Sequence, residues 1–459
     1  MKFCLTLAAT VLLGAISLQA HAQAQQPWLA DRKYGEGIGV RVGDLELHPG
    51  VSGEAGYDSN YFLRSSEENP LSAYRLRVTP SITMSTLGAQ RKEAHSGNAG
   101  AQPKLNFRAG AYLSYNELIA TDSKYSSEFA DQRHLDVGSD LLLQILPAGR
   151  VGGDTYLNFV RQGQPSNDPN TENAFDRDSF RAGAGVTWRP GGGLFDWRLG
   201  YEFLYNYFER SGYQDLNNYQ NTVNMRGRWR FLPRTALLYD GNYTWVNYPN
   251  PLAQNDGAIM RSRIGMNGLI TTRLSLLAMV GWAGTFYDQR AGQAPQQFDS
   301  ITGQAELKWY ISGGADVMNP SSAPVGLSYA SLGYNRDVSN SYLGNFYQTD
   351  RGYVGLSYML GGKFVTSLTA GIANLMFPDS YYAEPPQGLQ HAAFSQQRVD
   401  ASVFGEYRFS NTFGLNATFN YDQNFTDVAI PVSQTNPDVP PDYLAYQRWQ
   451  VFLGARWFL

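Results

Sequence analysis

The sequence has 459 residues and a formal charge of −4, with 17% charged residues, 14% aromatics, 47 glycines and one cysteine. Charged residues fall short of the quarter usual in soluble domains, and an acidic balance lacks the basic face of a nucleic-acid binder. A mean hydropathy of −0.36 excludes a helical membrane protein, which needs long apolar spans.

Lys2 precedes an apolar run from Phe3 to Ile16, and Ala20-His21-Ala22 follows. A charged start, a short apolar stretch and a small-x-small site have the form of a secretory signal peptide. Residues 1–22 are expected to be removed, leaving a periplasmic segment over 23–44 and one domain over 45–459. Cys4 departs with the leader, so the mature chain is expected to have no disulfide. No later stretch approaches 18 consecutive apolar residues, so no transmembrane helix is expected.

From Leu45 onward the pattern has period two. Phe195, Trp197, Leu199, Tyr201, Phe203, Tyr205 and Tyr207 alternate with polar residues, and so do Tyr219, Val223, Met225, Trp229 and Phe231. Side chains of a strand point to opposite faces in turn, so these segments predict strands with one apolar and one polar face. They are centred near residues 52, 80, 110, 138, 157, 183, 201, 225, 241, 264, 280, 305, 331, 352, 370, 402, 418 and 451. Tight turns at Pro147-Ala148-Gly149, Pro190–Gly193, Pro233-Arg234, Thr271-Thr272, Gly361-Gly362 and Ser410-Asn411 alternate with longer polar connections. Short turns on one side and long loops on the other suit an outer-membrane barrel. The predicted fold is all-β: a transmembrane, antiparallel, up-and-down β-barrel of about eighteen strands.

Tryptophan placement follows the same plan. Trp188, Trp197, Trp229, Trp309 and Trp457 stand near tight-turn ends, and Trp245 and Trp449 near long-loop ends, all in the apolar phase. An indole half in lipid and half in water belongs at the membrane interface; a soluble sandwich would place these rings in a core. The last segment carries Trp449, Val451, Leu453, Ala455, Trp457 and Leu459 in one phase and Arg448, Gln450, Gly454 and Arg456 in the other. It resembles the terminal strand that barrel assembly machinery recognises, with Phe458 penultimate rather than last. Backbone groups in lipid must be paired, so this strand should close onto the first.

The stretch Gly43-Asp44-Leu45-Glu46-Leu47-His48-Pro49, running on to Gly56-Tyr57-Asp58-Ser59-Asn60, resembles the opening of the β-barrel porin type 2 family. The chain also resembles the outer-membrane barrels of myxobacterial polysaccharide export systems. That resemblance implies an outer-membrane path for a polysaccharide, delivered by a periplasmic polysaccharide-export protein that has no membrane-spanning part. It carries over no site residue.

The polar phase supplies the expected lumen lining: Arg181, Arg198, Glu202, Arg226, Arg228, Arg230, Asp240, Arg261, Arg263, Glu306, Arg351, Arg398, Asp400, Glu406 and Arg408. Pairing across strands would stiffen the wall; charged rings would tune solute selectivity. Arg226, Arg228 and Arg230 with Arg261 and Arg263 are the expected positive patch. Tyr112, Tyr310, Tyr353 and Phe404 fall in the same phase, where a ring either packs locally or offers its face to a sugar. His48, His95, His134 and His391 form no catalytic pattern, and neither Gly-x-Ser-x-Gly nor His-Glu-x-x-His occurs, so neither catalysis nor a cofactor is expected. The loop with Asp168, Glu172, Asp176 and Asp178 could hold Ca²⁺ by oxygen ligands, or be a solvated surface loop. The expected function is passage of polysaccharide through an outer-membrane barrel in contact with outer-membrane lipid. A diffusion porin for small solutes and a closed structural or adhesive barrel are the alternatives.

Overall fold

A computed structural model describes residues 39–86, 104–163, 177–209, 214–249, 255–288, 296–311, 328–381, 389–430 and 442–459. The period-two segments are strands: β1 Leu45–Asp58, β2 Ala73–Thr86, β3 Leu105–Ala120, β4 His134–Ile145, β5 Val151–Gln162, β6 Arg177–Trp188, β7 Phe195–Phe208, β8 Asn218–Leu232 and β9 Thr235–Asn247. The second half is β10 Gly257–Leu269, β11 Leu274–Tyr287, β12 Asp299–Tyr310, β13 Tyr329–Asn340, β14 Phe346–Leu360, β15 Phe364–Phe377, β16 Phe394–Arg408, β17 Phe413–Phe425 and β18 Tyr446–Phe458.

Each strand pairs antiparallel with its neighbours in sequence, and β18 returns to β1 with Val51 opposite Trp457 and Asp58 opposite Gln450. Closure removes the exposed edges that an open sheet would leave. The common sheet has nineteen strands; eighteen make the wall, and the other is Val40–Val42, which folds back on Leu45–Leu47. Gly43 sits between them at φ +63°, a conformation open to glycine. Thus the end of the segment expected to be periplasmic adds a short hairpin to β1.

The tight turns all lie at one end, as their composition predicts. Gly361 and Gly362 both have positive φ in the three-residue connection between paired Leu360 and Phe364, a region glycine enters without a Cβ penalty. Connection lengths alternate less regularly than the sequence pattern suggests. The β2 and β3 ends, and the β12 and β13 ends, meet the tight-turn side although 18 residues of sequence join each pair, and 341–345 lies at the long-loop end although it is short. Chain direction, not loop length, decides the end, because every antiparallel strand reverses it.

Burial is inverted relative to a soluble protein. Large apolar residues in the outward phase, such as Leu76, Val186, Ile264, Ile301, Leu332 and Leu453, are exposed, while Arg75, Asp58, Glu406 and Arg448 are buried inside. Strands of 12 to 16 residues exceed the roughly 9–11 that a tilted strand needs to cross a bilayer. Among the described residues no helix is long and apolar enough to cross a membrane.

Two apolar clusters sit at the long-loop end. Tyr61, Leu71, Ala73, Leu118 and Phe129 bring the β1–β2 connection and the short helix Ser126–Ala130 against the wall. Ile259, Ala283, Tyr287, Phe298, Val338 and Phe346 pack between β10 and β14.

Candidate functional site

The pairing register puts Arg181, Arg198, Glu202, Arg226, Arg228, Asp240, Arg261, Arg263, Glu306, Arg351, Arg398, Asp400, Glu406 and Arg408 on the inner face. Arg230 continues the phase of Arg228 at the tight-turn end, where its backbone N–H bonds to the Leu194 carbonyl. The physical reason is the pleat: each of these residues is an even number of positions from another inward residue on its strand.

These charges are paired rather than grouped by sign. Arg198 reaches Asp154 at 2.6 Å, Arg228 reaches Asp196 at 2.5 Å, and Arg226 stands 3.4 Å from Asp240. Arg261 reaches Asp337 at 2.8 Å, and Arg263 lies between Asp240 and Asp337 at 3.8 and 3.9 Å. The expected positive patch is therefore largely compensated. Asp337, three strands from Arg261, supplies part of that compensation; it belongs to β13, and local alternation could not connect it to β10.

A denser network occupies the closure seam. Arg448 on β18 grips the Asp58 carboxylate of β1 with Nε at 3.0 Å and Nη2 at 2.5 Å. Gln450 donates to Asp58 at 2.5 Å, and Arg75 on β2 approaches it at 3.3 Å. Arg75 continues to Asn116 on β3, whose amide donates to Asp136 on β4 at 3.0 Å. Beside the seam, Glu406 on β16 accepts from Arg408 at 2.7 Å and from Arg456 Nη2 of β18 at 2.6 Å. Arg398 donates to the Tyr446 hydroxyl at 3.0 Å.

Glycine makes several of these contacts possible. Tyr156, Gly183 and Glu202 are directly opposed on β5, β6 and β7. The Tyr156 ring lies across Gly183, where any Cβ would collide with it, and its hydroxyl donates to Glu202. Tyr353, Gly333 and Glu306 repeat the arrangement on β14, β13 and β12, with the hydroxyl 3.0 Å from the carboxylate. Arg198 crosses Gly185 to Asp154, and Arg351 crosses Gly371 to Asp400 at 2.6 Å. A glycine allows this close approach because it offers no side chain to the crossing group. These four side chains therefore lie along the wall.

The other inward aromatics pack against protein groups. Tyr112 lies over Gly138 and also packs against Phe404. Four strands lie between theirs around the wall, so that contact crosses the interior. Tyr310 stands opposite Tyr329. His134 lies 3.6 Å from Asp136. Asp178 falls in the outward phase opposite Tyr207; Asp168, Glu172, Asp176 and His95 lie outside the described residues.

At the long-loop end the short connection 341–345 folds over the lumen. Asn218 on β8 donates to the Tyr342 hydroxyl at 2.7 Å, and the Tyr342 ring stands edge-on to Phe208 and Tyr248 at 5.8 and 6.3 Å. Nearby, Asn340 donates to the Tyr248 hydroxyl at 2.6 Å. Five residues thus tie β13 and β14 to β7, β8 and the end of β9. Only their brevity, among longer neighbours, marks them in the sequence.

Outside, seven tryptophans form two levels, with Trp282 nearer the middle of its strand. Trp188 pairs with Trp197, which stacks between Phe195 and Tyr239 at 6.3 and 5.4 Å; Trp229, Trp309 and Trp457 stand exposed at the same end. Trp245 meets Tyr243 at 4.5 Å, and Trp449 meets Tyr57 at 4.9 Å, near the other end.

A closed wall, apolar outside and charged inside, defines the class: a β-barrel of the membrane-spanning type. No family model matches the chain, and no curated protein does. Among solved structures it is similar to the FrpB iron transporter of Neisseria meningitidis, at 8% identity and a TM-score of 0.46, over 92% of this chain and 82% of that one. It is similar to the copper transporter OprC at 11% and 0.43, over 92% and 81%. For OccK5 (OpdH) of Pseudomonas aeruginosa the values are 8% and 0.42, over 90% and 98%. These likenesses are remote, and the fold assignment rests on the pairing register above.

Proposed function

We infer that this chain is an outer-membrane β-barrel of a Gram-negative cell, exported through a cleaved leader, whose lumen passes a polysaccharide chain outward without catalysis. The observation that carries this reading is the compensated inner wall. Arginines and carboxylates bond to one another along it, so the lumen offers many hydrogen-bonding groups with little net field. A hydroxyl-rich polymer that must enter, slide and leave is suited by such contacts, since tight single sites would hold it. Eighteen strands enclose a bore wider than side chains alone need fill. The Tyr342 crossing narrows part of the long-loop end, which favours a gated path over a general diffusion porin. Outer-membrane lipid would contact the tryptophan levels. The barrel assembly machinery would engage β18, and a periplasmic export protein would deliver the cargo at the tight-turn end.

Deletion of the gene tests this. Surface polysaccharide should be lost while its precursor is still synthesised. Unchanged surface polysaccharide, with loss of small-solute uptake instead, would replace this reading with that of a porin.

A further inference from the structure

We propose that the two Tyr–Gly–Glu triads are glycan-binding platforms facing each other across the middle of the lumen; this deepens the polysaccharide reading and rests on it. The triads are alike in construction and independent in sequence. In each, three directly opposed inward residues come from consecutive strands: Tyr156, Gly183 and Glu202, and Tyr353, Gly333 and Glu306. In each the ring lies across the glycine and its hydroxyl bonds to the carboxylate. In each a cation stands beside that carboxylate, Arg181 at 3.7 Å from Glu202 and Lys308 at 3.2 Å from Glu306.

Position and exposure separate these two from the other ring–glycine pairs. Their central glycines stand on β6 and β13, seven steps around a wall of eighteen, and both tyrosines lie mid-strand. Tyr156 and Tyr353 are half-buried, and the two glutamates are each 24% exposed. Tyr112 is instead engaged by Phe404, Tyr287 is enclosed in an apolar cluster, and Phe452 is covered by Arg77 at 3.9 Å.

The chemistry fits a neutral hexose polymer. An aromatic ring with accessible surface takes the C–H face of a pyranose, and the adjoining carboxylate accepts from its hydroxyls. The glycine beneath lets the ring lie low, so the platform grips without blocking. The paired Arg181 and Lys308 compensate the carboxylates, which suits an uncharged chain. Two opposed platforms allow a chain to transfer contacts from one wall to the other.

The test uses the full-length barrel in detergent and two probes, maltohexaose and cellohexaose. Binding is read by calorimetry, and contact by a diazirine-bearing form of each hexaose followed by peptide mapping. At least one hexaose should bind, with cross-links on the peptides containing Tyr156 and Tyr353. Tyr156→Leu and Tyr353→Leu should each weaken binding about fivefold to tenfold, from the size of aromatic contacts. Tyr156→Phe and Tyr353→Phe, which keep the ring, should retain most of it. Absence of binding by both hexaoses, or cross-links confined to other peptides, overturns the proposal. The mapping uses wild-type protein, so a variant that misfolds leaves the test intact. Bound hexaoses together with normal surface polysaccharide after gene deletion would leave the platforms standing and remove the export reading. Lost surface polysaccharide without hexaose binding would do the reverse.

Discussion

The same kind of ion pair lines both the closure seam and the wall of β6 to β9, yet its surroundings differ. At the seam Asp58 and Arg448 have no exposed side-chain surface, and beside it, between β16 and β18, Glu406 and Arg456 have 0% and 3%. On the other wall Arg181, Arg226 and Arg228 keep 31–37%. The seam is also the one junction in the wall with no chain connection across it. Its ladder has nine residue pairs, against fourteen between β15 and β16. Buried pairs fix geometry there because removing one partner strands a charge without water, whereas partly exposed pairs are screened and contribute little to stability. The seam pairs hold the barrel shut; the wall pairs shape the environment a solute meets.

The largest expected effect comes from breaking the seam. Asp58→Asn leaves Arg448 and Arg75 facing an uncharged partner in a dry site. A loss of about 3–5 kcal/mol is expected from the behaviour of buried pairs, seen as a lower urea midpoint of tryptophan fluorescence in detergent. The folded form should also lose its resistance to heating in gel migration. If Asp58→Asn costs no more than a substitution on the β6–β9 wall, the contrast between the regions fails.

The glycine crossings come next. In Gly183→Val the new branches occupy the space of the Tyr156 ring, which must leave the wall. Overpacking of this kind destabilises by about 1–3 kcal/mol. The displaced ring should also lower single-channel conductance. A variant with unchanged stability and conductance would show that the crossing has no part in keeping the lumen clear.

Much of this architecture is legible in sequence, and the limit is physical. Period-two alternation fixes the face of each residue, so all eighteen strand centres and the β18–β1 closure follow from it. It says nothing of partners beyond the adjacent strand. That Arg261 meets Asp337, or that Tyr156 crosses Gly183 to Glu202, depends on register and wall curvature, which no local pattern carries. The crossings over Gly183, Gly185, Gly333 and Gly371 leave no mark in the alternation. The Tyr342 connection shows only its brevity, for another reason: its five residues follow the usual turn chemistry, and their inward path is set by Asn218, Phe208 and Tyr248 far away in sequence.

That crossing gives a third test, at the mouth rather than the wall. Tyr342→Ala leaves the fully buried Asn218 amide without its hydroxyl partner and should destabilise by about 1–2 kcal/mol. Single-channel conductance in planar bilayers should rise, because a ring between β14 and β7 has been removed. Unchanged conductance would place the narrowest point elsewhere along the lumen.

The smallest expected effect is on the exposed wall. Asp196→Asn frees Arg228, whose side chain is 31% exposed, so water replaces the lost carboxylate. Stability should change by less than about 1 kcal/mol, as for other solvent-screened pairs. Ion selectivity should move measurably toward anions in a salt gradient, since one compensating charge has left the wall. The joint result decides the comparison. A selectivity shift without unfolding marks a lining charge, and unfolding without a selectivity shift marks a seam charge. Asp196→Asn behaving like Asp58→Asn would mean that burial does not separate the two regions.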